Sequence, residues 1–281
     1  DFAALWFASL EDPKASQMMF MANIYAQNNR YLEAIPYAER AIEKSDEPAE
    51  SWYQLITSAY FEVENFSQAS RWLQKLIEGW PEKGSYWEQL ASIYVLLENE
   101  GMALSTLRVA WLQGVLEREA SIKSMVQLAA ARGIPDHAAR MIEAAFAAEL
   151  LPQDETFVRL LANAWASAKE YDLAIVAFQQ LAELEEDGEA LVRVANLHLE
   201  VGRWQSAEQE LQRAIDLGLE EAGSAYLLLG IVLAEQDKYK ESFAALRRAR
   251  GFEKTQRQAA KWLTYAQDMR KQFEWQQAYR G

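Results

Sequence analysis

The stretch GSYWEQLASIYVLLENEGMALSTLRVAW, Gly84 to Trp111, reads as two helices joined by a short turn. Trp87, Leu90, Ala91 and Tyr94 recur at helical spacing, which places them on one face of a first helix. Ala103, Leu107 and Ala110 do the same for a second helix. Two antiparallel helices that cross closely need small side chains at the crossing, and Ala91 and Ala103 supply them. Trp87, Leu90, Tyr94 and Leu107 fill the space around that point. Glu98-Asn99-Glu100-Gly101 is the predicted turn, because Asn and Gly are expected where one helix stops and the next starts.

The same unit recurs along the chain. The small residue opening each second helix is Ala34, Ala69, Ala103, Ala138, Ala174, Ala207 and Ser242, at intervals of 35, 34, 35, 36, 33 and 35 residues. Its partner on each first helix is Ala22, Thr57, Ala91, Val126, Ala162, Ala195 and Gly230. A slot three residues later holds Tyr25, Tyr60, Tyr94, Ala129, Trp165, His198 and Leu233, so repeats one to three are sharp and four, six and seven degenerate. Self-similarity at this period predicts an all-α, right-handed solenoid of about seven helix-turn-helix repeats over residues 15–253. The repeats start near 15, 50, 84, 119, 155, 188 and 223. Residues 1–14 read as the second helix of a preceding, truncated repeat, or as an N-terminal cap. Residues 254–281 read as a C-terminal capping helix whose face is Ala259, Trp262, Leu263, Ala266 and Phe273.

Composition narrows the function. The chain of 281 residues is 51% hydrophobic, enough for a core, and no apolar run approaches the roughly 20 residues of a membrane span. With no cysteine there are no disulfides, thiolate metal sites or cysteine nucleophiles, which suits an oxidising compartment. An opening at Asp1 rather than Met is expected of a mature or trimmed chain. The net charge of −14 argues against nucleic acid as the main partner. That charge is uneven: from Lys238 onward 11 basic residues face 4 acidic ones, a local +7 that leaves −21 for the rest.

Neither a catalytic nor a cofactor motif is present: no G-x-x-x-x-G-K, no G-x-S-x-G and no H-E-x-x-H. The two histidines are far apart, and His198 occupies a core slot rather than a catalytic one. No enzyme, cofactor or metal is therefore expected. Acidic groups such as Glu185-Glu186-Asp187, the last of which lies outside the described residues, and Glu220-Glu221 read as solvated turn residues. Trp52, Trp87 and Trp165 sit at or beside packing positions, whereas Trp80, Trp204 and Trp275 are less clearly core and are candidate exposed contacts.

In an array of this kind the first helices line an inner groove, and their positions five and nine point into it. From repeat four onward these are Lys123 and Gln127, then Arg159 and Asn163; repeat six adds Arg193 and Asn196. Arg grips a carboxylate with two hydrogen bonds, and Asn bonds both N–H and C=O of an extended peptide, so the stripe is a candidate partner-binding site. The stripe partly resembles the carboxylate-clamp repeats that bind chaperone C-termini, but Met19 and Gln54 stand where that clamp would begin. The plainer alternative pairs Arg159 with Glu155 and Arg193 with Glu189 along their own helices. Arg247, Arg248, Arg250, Lys254, Arg257 and Lys261 form a basic end, read as a solvated helix terminus or as a contact for an acidic partner or lipid headgroups.

The units together resemble the tetratricopeptide-repeat proteins associated with TonB-type energy-transduction systems of Gram-negative bacteria. The resemblance lies in SWYQLITSAYFE (Ser51–Glu62), YWEQLASIY (Tyr86–Tyr94), AWLQGVLEREASI (Ala110–Ile122), AYLLLGIVL (Ala225–Leu233) and AAKWLTYAQ (Ala259–Gln267), and covers most of residues 15–270. Its more specific elements are the Gln113-Gly114 turn and the Trp262–Tyr265 cap. It implies a non-enzymatic, periplasmic interaction scaffold working beside TonB-, ExbB- and ExbD-like proteins in outer-membrane transport. Alternatives are a cytoplasmic or secretion-system adaptor that grips peptide tails, or a regulatory domain of a larger protein. Self-association is compatible with each.

Overall fold

The structure, a computed structural model, describes residues 2–186 and 188–280, and these form sixteen α-helices with no strand among them. Two compact units divide the chain, Asp1–Gly133 and Ile134–Gly281. The first holds α1 (Phe2–Ala8) and the pairs α2 (Ala15–Gln27)/α3 (Tyr31–Lys44), α4 (Glu50–Glu62)/α5 (Phe66–Gly79) and α6 (Gly84–Leu96)/α7 (Glu100–Leu112), then α8 (Glu119–Ala131). The second opens with α9 (Pro135–Ala147) and holds α10 (Glu155–Ser167)/α11 (Tyr171–Glu185), α12 (Glu189–Glu200)/α13 (Trp204–Leu217) and α14 (Gly223–Glu235)/α15 (Tyr239–Arg250), closed by α16 (Gln256–Arg280). Within each unit every helix packs on its sequence neighbours, the arrangement of a helix-pair solenoid.

The crossings follow the steric rule. Ala34, Ala69, Ala103, Ala138, Ala174, Ala207 and Ser242 are all fully buried, and so are their partners Ala22, Ala162 and Ala195. Repeat seven has glycine on one side of its crossing: a Cβ on Gly230 would meet Leu246 Cγ at 2.5 Å. Glycine also opens α6, where a side chain at Gly84 would run into the Val115 carbonyl at 2.1 Å.

Each first helix ends in the same backbone device. A residue in the left-handed conformation follows it: Asn29, Glu64, Glu98, Gly133, Lys169, Gly202 and Asp237, with φ between 55° and 74°. The next amide then reaches back to the carbonyl of the slot residue, as from Asn65 to Tyr60 (2.9 Å), Asn99 to Tyr94 (2.8 Å), Glu170 to Trp165 (3.1 Å) and Arg203 to His198 (2.8 Å). This is the six-to-one bond of a Schellman cap, which satisfies a carbonyl the helix leaves open. The predicted turn Glu98–Gly101 is accordingly shorter in fact. Glu98 is its left-handed residue, Asn99 caps α7 by accepting from the Met102 amide (3.1 Å), and Gly101 lies inside α7. Gly133 makes the corresponding turn before Pro135, the first residue of α9, where a missing N–H costs nothing.

The slot side chains also join repeats. Tyr60 Oη donates to Glu39 of the preceding second helix (2.6 Å), Gln74 donates to Tyr94 Oη (2.7 Å), and Trp165 Nε1 donates to Glu143 (3.2 Å). Repeat six breaks this pattern: His198 is buried and its Nδ1 has no hydrogen-bond partner. Burial lowers its pKa below the ordinary 6.5, with Glu210 opposing. Burial thus favours the neutral ring in this core slot. Ala129, in the same slot of repeat four, is fully buried too.

Candidate first-helix cleft

A recess of the first unit lies between α4 and α6, over Leu73 and Leu76 of α5, with a volume of about 690 Å³. Its walls carry Gln54, Ser58, Glu88 and Ser92, which are positions five and nine of repeats two and three. An adjoining recess of about 420 Å³ shares Phe61, Glu88 and Ser92 and continues along α8 through Ser121, Ser124 and Leu128. Phe61, Val95 and Leu96 line these recesses while 44–52% exposed, so the cleft presents apolar surface to solvent.

Its charges are internally matched. Arg118 donates to Glu88 (2.9 Å), and Ser121 Oγ donates to the same carboxylate. At the lip, Lys83 donates to Glu50 (2.6 Å), Tyr86 Oη donates to Glu50 as well, and Gln54 donates to Tyr86 Oη (2.6 Å). The Lys83 hydrogen bond, seconded by Tyr86, holds the Glu50 carboxyl below the usual range, and Glu50 in turn raises the Lys83 ammonium. What faces an incoming chain is hydroxyls, amides and hydrocarbon. Such a surface suits an uncharged amphipathic segment, whose backbone groups the Ser and Gln side chains can meet.

The residues expected to bind from the basic stripe are distributed differently. Lys123 and Gln127 lie on α8 of the first unit, Arg159 and Asn163 on α10 and Arg193 and Asn196 on α12 of the second. Arg159 is committed to two carboxylates, Glu155 (2.7 Å) and Glu185 of α11. Glu185 is therefore no solvated turn residue; it ends α11 with its side chain 6% exposed. Among the described residues no ion pair joins Arg193 to Glu189, and Arg193 is exposed. Asn163 and Asn196 each donate to the carbonyl four residues back, at 2.9 and 3.0 Å, as ordinary helix-surface residues do. Of the uncertain tryptophans, Trp80 packs against Tyr53 (6.0 Å), whereas Trp204 and Trp275 are exposed.

Charge patterns in the sequence point away from the cleft. The signal that marks it is apolar: Phe61 and Val95 occupy the same position of consecutive repeats, directly after the slot residue, where the packing pattern needs no hydrophobe.

Two family models, both described as tetratricopeptide repeat, match residues 124–189 and 194–259 and residues 18–43, together more than half of the chain. With the paired helices and buried crossings above, they define the class: the chain is a tetratricopeptide-repeat protein. A solved structure of Naa15/Naa10 bound to HypK-THB superposes with a TM-score of 0.69 at 15% identity, covering 90% of this chain and 39% of that one. A tetratricopeptide repeat protein from Parabacteroides merdae matches at 13% identity over 90% of this chain and 98% of its own, with a TM-score of 0.44. At these identities the likeness concerns the fold alone. No curated protein matches the chain. The fold is generally a non-enzymatic interaction scaffold, and neither family model indicates an enzyme family.

Proposed function

We propose that the chain is a non-enzymatic scaffold of a periplasmic TonB–ExbB–ExbD-type energy-transduction system, and that it holds an uncharged, amphipathic segment of a partner protein in the first-helix cleft of repeats two to four. The observation that carries the binding reading is the cleft itself, with exposed Phe61, Val95 and Leu96 beside Ser and Gln side chains and with Arg118 closed onto Glu88. Arg118 and Lys83, the cations described at the cleft and its lip, are each held by a carboxylate, so the cleft does not support the carboxylate-clamp alternative. The assignment to a TonB-type system is supported by the sequence resemblance in Ser51–Glu62, Tyr86–Tyr94 and Ala110–Ile122, all three of which contribute residues to the cleft.

A photo-crosslinking residue at Ser92 tests both parts in an envelope extract. Crosslinks to TonB-, ExbB- or ExbD-like proteins, lost on Phe61→Ser with Leu96→Ser, are expected. Crosslinks to cytosolic chaperones or secretion substrates would keep the cleft and overturn the TonB assignment and the periplasmic location. Crosslinks that survive the double substitution would overturn the cleft.

A further inference from the structure

The outer side of α16 carries a set of side chains that capping does not use. The helix packs on the second unit through Ala259, Leu263 and Ala266, and Phe273 meets the Tyr239 ring at 5.8 Å. At the 100° per residue of an α-helix, Arg257, Lys261, Tyr265, Trp275 and Tyr279 fall within about 40° of one line on the opposite side. All five are exposed; Tyr265, Trp275 and Tyr279 remain 52%, 62% and 76% accessible. Trp275 and Tyr279 touch each other, with ring centroids 4.5 Å apart. Asp268 lies within the same window as the one carboxylate there among the described residues of α16, and it sits 3.3 Å from Lys271. A cap whose sole task is solvation has no use for three aromatic rings in water.

We propose that this face of α16 docks on an anionic lipid bilayer. Three observations favour a membrane over other occupants. The exposed rings are Tyr and Trp, whose apolar bodies and polar tips partition to the headgroup level of a bilayer. The set runs along roughly 33 Å of a single convex helix side, a line suited to a flat surface rather than to a pocket. The charge is complementary: the last 44 residues carry +7, and Arg247 and Arg250 stand exposed on neighbouring α15. The acidic remainder of the chain does not cancel this attraction, because fields at exposed charges are screened within about 8 Å at physiological salt. Cations supply the pull and rings the insertion, two signals that add to one another at an anionic surface.

Flotation of the full chain with vesicles tests this. Binding is expected to phosphatidylcholine vesicles containing about 30% phosphatidylglycerol at low salt, weaker by at least about tenfold with phosphatidylcholine alone or in 0.5 M salt. Tryptophan emission should shift to the blue on binding. Trp275→Ser with Tyr279→Ser, and separately Arg257→Glu with Lys261→Glu, should each lower partitioning by about tenfold or more while leaving helicity and melting unchanged, since all four side chains are exposed. Equal partitioning of wild type and both variants would overturn the proposal. So would failure to float combined with retention on immobilised poly-glutamate that depends on Lys261 and Trp275, a result that assigns the face to an acidic protein.

Discussion

Ser242 Oγ donates a hydrogen bond of 2.6 Å to the carbonyl of Gly230, across the crossing of α14 and α15. Where the other repeats place Ala, Val or Thr on the first helix and Ala on the second, this one uses glycine against serine, and a polar contact replaces a methyl contact. Gly230→Ala sets two effects against each other. Helix propensity favours alanine by about 1 kcal/mol. The new methyl overlaps Leu246 Cγ and Cδ2, at 2.5 and 2.6 Å, and overpacking of this kind costs about 1–3 kcal/mol. Leu246 is fully buried and has nowhere to turn, so the clash dominates. Urea denaturation should show net destabilisation of about 1–2 kcal/mol. A stabilised variant would mean that the crossing is looser than these distances imply. Ala103→Trp, at a fully buried crossing residue, should destabilise by at least as much.

The turn residues give a prediction of opposite sign. Glu64, Glu98 and Lys169 hold the left-handed conformation with side chains that disfavour it, and all three are exposed. Replacing Glu98 with Gly removes that strain and loses no described contact, so stability should rise by about 1 kcal/mol. The reverse change, Gly133→Ala, should cost a similar amount. Paired urea titrations check both signs.

Position 198 makes stability depend on pH. Burial depresses the folded-state pKa of His198 below the 6.5 of the exposed side chain. The folded state therefore binds this proton less readily than the unfolded chain. The contribution is fully present above about pH 6.5 and is lost as pH falls through the depressed value. His198→Leu, which copies the Leu233 of the next repeat's slot, removes both the titration and the unpartnered Nδ1. Its melting temperature should fall less than wild type between pH 7 and pH 5. An equal fall in both would assign the acid sensitivity to other groups.

Arg159 separates a structural from a binding role. Its guanidinium bridges Glu155 of its own helix and the almost inaccessible Glu185 of α11. Arg159→Ala should destabilise by about 1 kcal/mol or more, because a carboxylate with little access to water loses a charged partner. Arg193→Ala, at an exposed site, should stay within about 0.5 kcal/mol of wild type. Loss of partner affinity in Arg193→Ala at unchanged stability would assign binding to the basic stripe.

The repeat register is legible in sequence because it records a steric requirement: side chains must be small where backbones cross, as Ala103 and Ala91 are. The turns are less legible because their geometry is held by main-chain bonds that any residue can make. A left-handed Glu98 or Lys169 leaves no mark that a helix-surface Glu or Lys would not. The pairing of Arg159 with Glu185 hides for another reason, since 26 residues separate two groups that only the folding of α10 onto α11 brings together. The cleft is only half legible: Phe61 and Val95 mark its rim at one repeat position, but the space between α4 and α6 has no residue code.

The hydrogen bonds from slot residues to the preceding repeat bear on how the molecule comes apart. Repeats two, three and five are fastened through Tyr60, Tyr94 and Trp165, whereas His198 and Leu233 provide no such link for repeats six and seven. Opening of an array is a local event governed by the weakest junction rather than by the average. Repeats six and seven are tied back instead by ion pairs at the surface, Arg203 with Asp172 and Lys238 with Glu208, so added salt should speed amide exchange at those two junctions more than at repeats two, three and five. The repeats are thus joined in two ways, and ionic strength should tell them apart.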